Sequence, residues 1–238
     1  LRTVPEWIPA GAAANELAIE DARSVAGHLG IEHAVLDVRQ EFEQQVLVPF
    51  AETYALGRTP NPCAVCNEHV KFGLLHQYVQ REGFDALATG HYARTLEDGT
   101  LLRSMFQPKD QTYFLYRVPR QYLARTLFPL SGWDKADVRA FARERGIPVH
   151  ARPDSQDVCF LAGHDRQEIL RQLAPESMVV GEVVDAEGRV VGSHDGIGTV
   201  TVGQRGGLGV SGQSAPVYVQ RVDATRNQVV VGGRETLA

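Results

Sequence analysis

Up to about Leu173 the chain follows helix-length apolar patterns broken by short strand-like runs, and beyond it hairpin patterns take over. That change of period constrains the fold most, because side-chain repeats of 3.6 and of 2 need different backbones. Ile19, Ala22, Ala26 and Leu29 share one helical face, with Gly30 placed to end the helix. Ala34 to Val38 reads as a short buried strand, Gln40 to about Leu56 as a second helix, and about Glu68 to Gln80 as a third, ending near Gly83. Ala86 to Thr89 is strand-like and leads into Gly90 and His91, and Leu101 and Leu102 suggest another short strand. Asp134 is placed to cap a helix from Lys135 to Arg145 that Gly146 and Pro148 terminate. Such alternation predicts an α/β fold with parallel strands, crossover helices and ligands at the carboxyl ends of the strands. After Leu173, VVGEVVDAEGRVVG reads as strand, turn, strand, and VYVQRVDATRNQVVVGG repeats the pattern.

The 238 residues suffice for one large or two modest domains, and 43% hydrophobic with 22% charged residues supports an ordinary core. A formal charge of -5 excludes a uniformly basic nucleic-acid coat but leaves room for a local basic groove. There is no bilayer-length apolar run and no basic-then-apolar leader, so the reading is a cytoplasmic protein with no membrane partner. The sequence starts at Leu1 rather than Met and stops in a hairpin at Ala238, as a piece of a larger protein would.

GRTPNPCAVCN, Gly57 to Asn67, sets Cys63 and Cys66 three residues apart after a Pro-rich turn, and the third cysteine, Cys159, lies in DSQDVCF. An odd count of three argues against a structural disulfide scaffold. Structural zinc wants four ligands and only one further cysteine exists, so no metal site is predicted. A thioredoxin-like role wants the CxxC after the first strand of a βαβ unit, for which Pro60 and Pro62 are wrong. The remaining readings are packed cysteines or an activated thiol. Cys66 favours the second: it stands at the predicted start of a helix with Lys71 about one turn on, and both features lower a thiol pKa. Cys159 alone would read as a core cysteine, yet Asp154, Ser155 and Asp157 put a polar edge before it. ATGHY and PKDQTYF are each explained as readily by a turn and a hydrophilic loop as by ligand contacts. Gly207, Gly209 and Gly212 spell GxGxxG, but strand-like VYVQRV follows where a dinucleotide site needs a helix.

In this order, GRTPNPCAVCN, KFG at Lys71 to Gly73, ATGHYAR, KDQTYFLYR, LFPL, RPDSQDVCF and VGQRGGLGV resemble the tRNA-specific 2-thiouridylases, a family of PP-loop ATP pyrophosphatases. The resemblance runs from about Ile19 to Gly232. It implies an adenine nucleotide alpha-hydrolase-like PP-loop domain over residues 1–168, a small central β-rich domain over 169–212, and the start of a β-barrel over 213–238. It further implies replacement of the C2 oxygen of the tRNA wobble uridine by sulfur, using ATP with Mg2+ and a persulfide donor protein, a cysteine desulfurase or a relay carrier. Cys159 matches the persulfide-bearing cysteine and Cys66 the catalytic nucleophile, 93 residues apart in sequence, which can close a disulfide with it. Gly90 matches an ATP contact, while His91, Lys109, Asp110 and Gln111 match tRNA contacts. Asn61, Pro62 and Cys63 match the stretch that meets the target base, which must be flipped out for C2 to be reached. Some members carry Asp at position 63, where it can exchange a proton; this chain has Cys63. The family's SGGVDSS loop, which holds the ATP pyrophosphate, has no counterpart here, so the expectation is an incomplete enzyme, with a non-catalytic tRNA- or sulfur-carrier-binding fragment as the alternative.

Overall fold

The computed structural model describes residues 1–152, 158–162, 165–210 and 215–234. Asp154, Ser155, Asp157 and Gly212 lie outside the described residues. In chain order the elements are α1 (Pro9–Leu29), α2 (Arg39–Phe42), α3 (Val48–Ala55), α4 (Pro62–Cys66), α5 (Leu75–Arg81), β1 (Leu87–Ala88), β2 (Ala93–Thr95), β3 (Leu101–Arg103), α6 (Arg120–Leu123), β4 (Thr126–Leu127), α7 (Lys135–Glu144), α8 (Arg166–Leu173), β5 (Gly181–Val184), β6 (Val190–His194), β7 (Tyr218–Asp223) and β8 (Gln228–Gly232). Two π-helical segments, Glu43–Leu47 and Asn67–Leu74, interrupt the second and third helical stretches. The chain divides into two compact units, one of Leu1–Val46 with Pro62–Ala162 and one of Leu47–Asn61 with Gly163–Ala238.

In the first unit β1 and β4 form the parallel pair that the alternation predicts, with Leu87 opposite Thr126 and Ala88 opposite Leu127. Gly90 and His91 follow β1 at its carboxyl end. Behind this pair lies a core of Phe72, Ala93, Leu115, Val118, Leu123 and Phe128. Buried His76 on α5 reaches this core's edge: its Nε2 lies 2.9 Å from Thr126 Oγ1, and its ring stacks on Tyr122 at 4.8 Å. Because the Thr126 hydroxyl already donates to the Tyr122 carbonyl at 2.7 Å, the imidazole is the donor, with its proton on Nε2.

Helix α1 starts earlier than the periodicity suggests, at Pro9, whose fixed φ suits a first helical position, and it ends at Gly30 with φ 67°. Asp134 caps α7 by accepting from the Ala136 amide at 2.6 Å. The strand expected at Ala34 to Val38 is reduced to one parallel bridge, Arg2 to Asp37, because only Arg2 pairs along it and Ala34 is exposed. The third helix begins at Pro62 rather than near Glu68, which puts Cys63 and Cys66 inside helix α4.

The second unit holds one sheet in the order β6-β5-β8-β7, with β5 parallel to β8 and both hairpins antiparallel. The expected boundary between 212 and 213 therefore falls within a single sheet, since β5 comes before it and β8 after. The stretch 47–61, assigned by sequence to the first domain, clusters with this unit instead. Alternating valines explain the sheet: Val183, Val219, Val229 and Val231 point to one core with Ile197, Val200 and Leu208. The β7–β8 turn closes through Asn227 at φ 50°, a conformation that Asn tolerates and most residues avoid.

Candidate active site

All three cysteines line one cavity of about 230 Å³ in the first unit, together with Phe42, Val46, Pro62, Lys71, Val158 and Phe160. Cys66 is buried, Cys63 half-buried and Cys159 exposed, and each thiol is free. Cys159 opens a short 3-10 turn, Cys159–Leu161. Two contacts hold that turn. The Phe160 ring meets Phe42 edge-on at 5.9 Å, and the Phe160 carbonyl lies against Gly11 of α1, where an added Cβ would come within 3.0 Å. Gly11 thus lets α1 approach the backbone beside Cys159 closely.

The π-helical segment after Cys66 determines what else reaches the cavity. A π turn closes onto the fifth residue rather than the fourth, so side chains five apart come to one side. Cys66 and Lys71 are five apart, and both line the cavity. Gly73 suits this wide turn, since a Cβ there would lie 3.0 Å from the Glu68 carbonyl.

Burial dominates the thiol chemistry. It pushes Cys66 up to about 12 against the opposing pull of Lys71 and raises Cys63 in the same way; Cys159, exposed as a residue, is raised too because the apolar cavity that it lines desolvates its thiol. The expectation of a depressed Cys66 pKa is therefore reversed in the described structure: Cys66 is the last residue of α4, not its N-terminus, and low-polarity walls disfavour its thiolate. Lys71 is the only charged side chain among the described residues that line the cavity.

The other motifs meet around the same helix. His91 packs on Phe72 at 5.7 Å, with Nδ1 3.1 Å from Thr89 Oγ1, and burial followed by Lys71 holds its pKa down at about 4. Gln111 exchanges two hydrogen bonds with the Tyr92 backbone, its amide donating to the carbonyl at 2.9 Å and its Oε1 accepting from the amide at 3.0 Å. Asp110 accepts from the Ser104 amide at 2.7 Å and the Thr112 hydroxyl at 2.6 Å. Both side chains thereby shape the loop, while Lys109 is exposed. Asn67, buried beside Cys66, donates to the Phe114 carbonyl at 3.1 Å and so ties the KDQTYF loop to the thiol helix. Asn61 falls in the stretch that clusters with the second unit, whereas Pro62 and Cys63 line the cavity.

Sequence reasoning did not single out Asn67, and it cast Lys71 only as a nearby cation. Gly73, five residues after Glu68, was the one visible trace of the π segment that positions them. A larger, open hollow of about 650 Å³ at Glu6, Trp7, Arg39 and Glu43 is a weaker candidate. Its Arg39 is already paired with Glu6 and Asp37, and no nucleophile lines it among the described residues. No cluster of three or more metal-ligating side chains occurs among the described residues, and no helix there is long and apolar enough to cross a membrane.

Residues 8–163 match the model of the tRNA methyl transferase HUP domain, and residues 167–233 match that of the tRNA methyl transferase PRC-barrel domain. The fold is thus an α/β HUP domain followed by a small β-rich domain, and one PRC-barrel match runs across the sheet of the second unit. The tRNA-specific 2-thiouridylase MnmA of Azorhizobium caulinodans is 47% identical over 224 residues, which is 92% of this chain and 57% of that protein. The Acidithiobacillus ferrooxidans protein of the same name is 45% identical over 239 residues, 99% of this chain and 67% of that protein. For the Thermus thermophilus one the figures are 47% over 216 residues, 90% and 58%. The chain spans little more than half the length of most of these relatives, but the HUP match alone covers most of its own residues. It belongs to the tRNA-specific 2-thiouridylase family.

Proposed function

We propose that this chain is the thiol-bearing part of an ATP-dependent tRNA sulfurtransferase that makes 2-thiouridine at the wobble position. The observation that carries the reading is that Cys66 and Cys159, far apart in sequence, line one cavity. Cys159, exposed at its turn, accepts sulfur as a persulfide from a donor protein, a cysteine desulfurase or a relay carrier. Its outer sulfur bonds to C2 of the flipped uridine, and the C2–O bond breaks with its electron pair leaving on the activated oxygen. Cys66 then attacks Cys159 Sγ, and the bond from that sulfur to the outer sulfur breaks. The outer sulfur leaves on C2 with the electron pair, and a Cys66–Cys159 disulfide forms. Two cysteines are oxidised as the transferred sulfur is reduced, so an external thiol must reopen the disulfide before the next turnover.

A raised Cys66 pKa fits this order of events. A thiol kept neutral in an apolar wall does not intercept the incoming persulfide until substrate and charge arrive. Gly90 fits a nucleotide neighbour, because a Cβ there would meet only Leu130 Cδ1 at 4.0 Å, leaving the backbone open at the carboxyl end of β1. Bound ATP, with Mg2+, would supply the adenylyl group that turns the C2 oxygen into a leaving group. Pro62 and Cys63, which line the cavity, and Asn61 before them make the stretch that meets the target base, and His91 and the loop of Lys109, Asp110 and Gln111 make the tRNA contacts. His91 acts as a neutral hydrogen-bonding ring at physiological pH.

The test is thiolation of unmodified tRNA by the full-length protein with ATP and a persulfide donor, read as 2-thiouridine by nucleoside mass spectrometry. Cys66→Ser and Cys159→Ser should each abolish the product, and Cys63→Ser should be milder. Undiminished product with either of the first two variants would reject this assignment.

A further inference from the structure

Lys71 has no role in the scheme above, yet it is placed to act on every step of it. Its position is set by the π-helical segment Asn67–Leu74, which brings a residue five beyond Cys66 to the same wall. The side chain is exposed, so its ammonium keeps solvent on one side while its stem borders the apolar cavity. The groups around it come from three segments: Cys63 and Cys66 on α4, Cys159 on the 3-10 turn, and His91 after β1. On its own segment Glu68 is engaged by Arg117 and lies 3.5 Å from His69 Nε2. No carboxylate lines the cavity among the described residues.

We propose that Lys71 is the positioning cation of this site, whose ammonium holds the sulfur anions of Cys66 and Cys159 in the cavity that otherwise excludes charge. This deepens the sulfurtransferase reading and rests on it for the meaning of the anions, though the electrostatic contact itself does not. Three sulfur atoms in apolar walls have no other fixed countercharge on the described lining. As the disulfide forms and reopens, negative charge moves between Cys159, the outer sulfur and Cys66, and a flexible ammonium bordering all three sites follows it without forming a bond. Lys71 lowers the pKa of all three thiols against the larger effect of burial, which agrees with that placement.

The experiment is site-resolved alkylation of this chain by iodoacetamide from pH 7 to 10, with each cysteine quantified by mass spectrometry. Lys71→Met should slow modification of Cys66 and Cys159 by about three- to tenfold at a given pH, since one pKa unit changes the thiolate fraction about tenfold. Lys71→Arg should restore the wild-type profile, because it keeps the charge. Circular dichroism and thermal melts should match across variants, as expected for an exposed side chain, and Lys71→Gln replaces the Met variant if that one melts early. Unchanged Cys66 and Cys159 profiles in the neutral variants, or failure of a folded Lys71→Arg to restore them, would overturn the proposal. If the alkylation shifts occur but the full-length protein makes no 2-thiouridine, the charge assignment stands and the sulfurtransferase reading fails alone.

Discussion

The four-stranded sheet of the second unit is built from strands of four to six residues, and along β7 and β8 each buried valine is flanked by half-buried positions. The strands of the thiol-bearing unit are two or three residues long, and two helical stretches carry π-helical segments. The sheet is held by apolar packing that repeats from strand to strand. The loops and helices of the thiol-bearing unit are joined by a few polar ties, Asn67 to Phe114, Gln111 to Tyr92 and His76 to Thr126. Regular packing tolerates small changes at its margins, whereas a site assembled from separate loops depends on each tie. The difference teaches where stability and chemistry reside in this molecule.

Removing a methyl-bearing core group from the sheet should have the largest effect on stability. Val229→Ala, at a fully buried position among Val183, Val219 and Val231, should cost about 2.5 kcal/mol in urea unfolding of the sheet unit. The alkylation profile of Cys159 should stay unchanged, and a parallel change there would break the contrast drawn above.

Acid should act mainly on the thiol-bearing unit. Burial lowers the pKa of His91 to about 4, and it lowers His76 too. A histidine whose folded pKa lies below its unfolded value favours folding fully above about 6.5, and that contribution is lost as pH falls through the folded value. For His91 the window is about pH 6.5 to 4, with a loss of roughly 2 kcal/mol once its partial exposure is discounted. His91→Gln should flatten that part of the stability profile, and an unaltered slope would show that the loss arises elsewhere. His194 in the sheet unit is also lowered by burial, so comparing His194→Gln sharpens the partition between units.

The smallest expected effect is that of a single tie. Asn67→Ala leaves the Phe114 carbonyl without its donor and should cost about 1 kcal/mol, read as faster amide exchange confined to the 111–115 loop. Global loosening would mean that this tie supports the whole unit.

Much of the architecture was legible from local chemistry. Asp134, Gly30 and the valine alternation each act through neighbours within a few residues, so the α7 cap, the end of α1 and the two hairpins could be read directly. The strand expected at Ala34 to Val38 was misread because a buried strand needs pairing along its length, and the partners of a strand are not local. The sheet order was not legible for the same reason: β5 pairs with β8 across more than forty residues, which no hairpin pattern contains. In the site, resemblance rather than spacing singled out Cys159 and Gly90, since each taken alone reads as readily as core or turn.

The sequence by itself determined the change from mixed helix and strand to hairpins, the Pro-flanked cysteine pair and the collinear motifs that mark the family, because these depend on residue type and short-range order. Only the tertiary structure decided that Cys63, Cys66 and Cys159 share one cavity, that Lys71 reaches it through a π-helical segment, and that Asp110 and Gln111 shape their own loop. It also reversed the expected pKa of Cys66. Burial is a property of everything packed around a group, and the desolvation it imposes outweighed the nearby cation that the sequence could show.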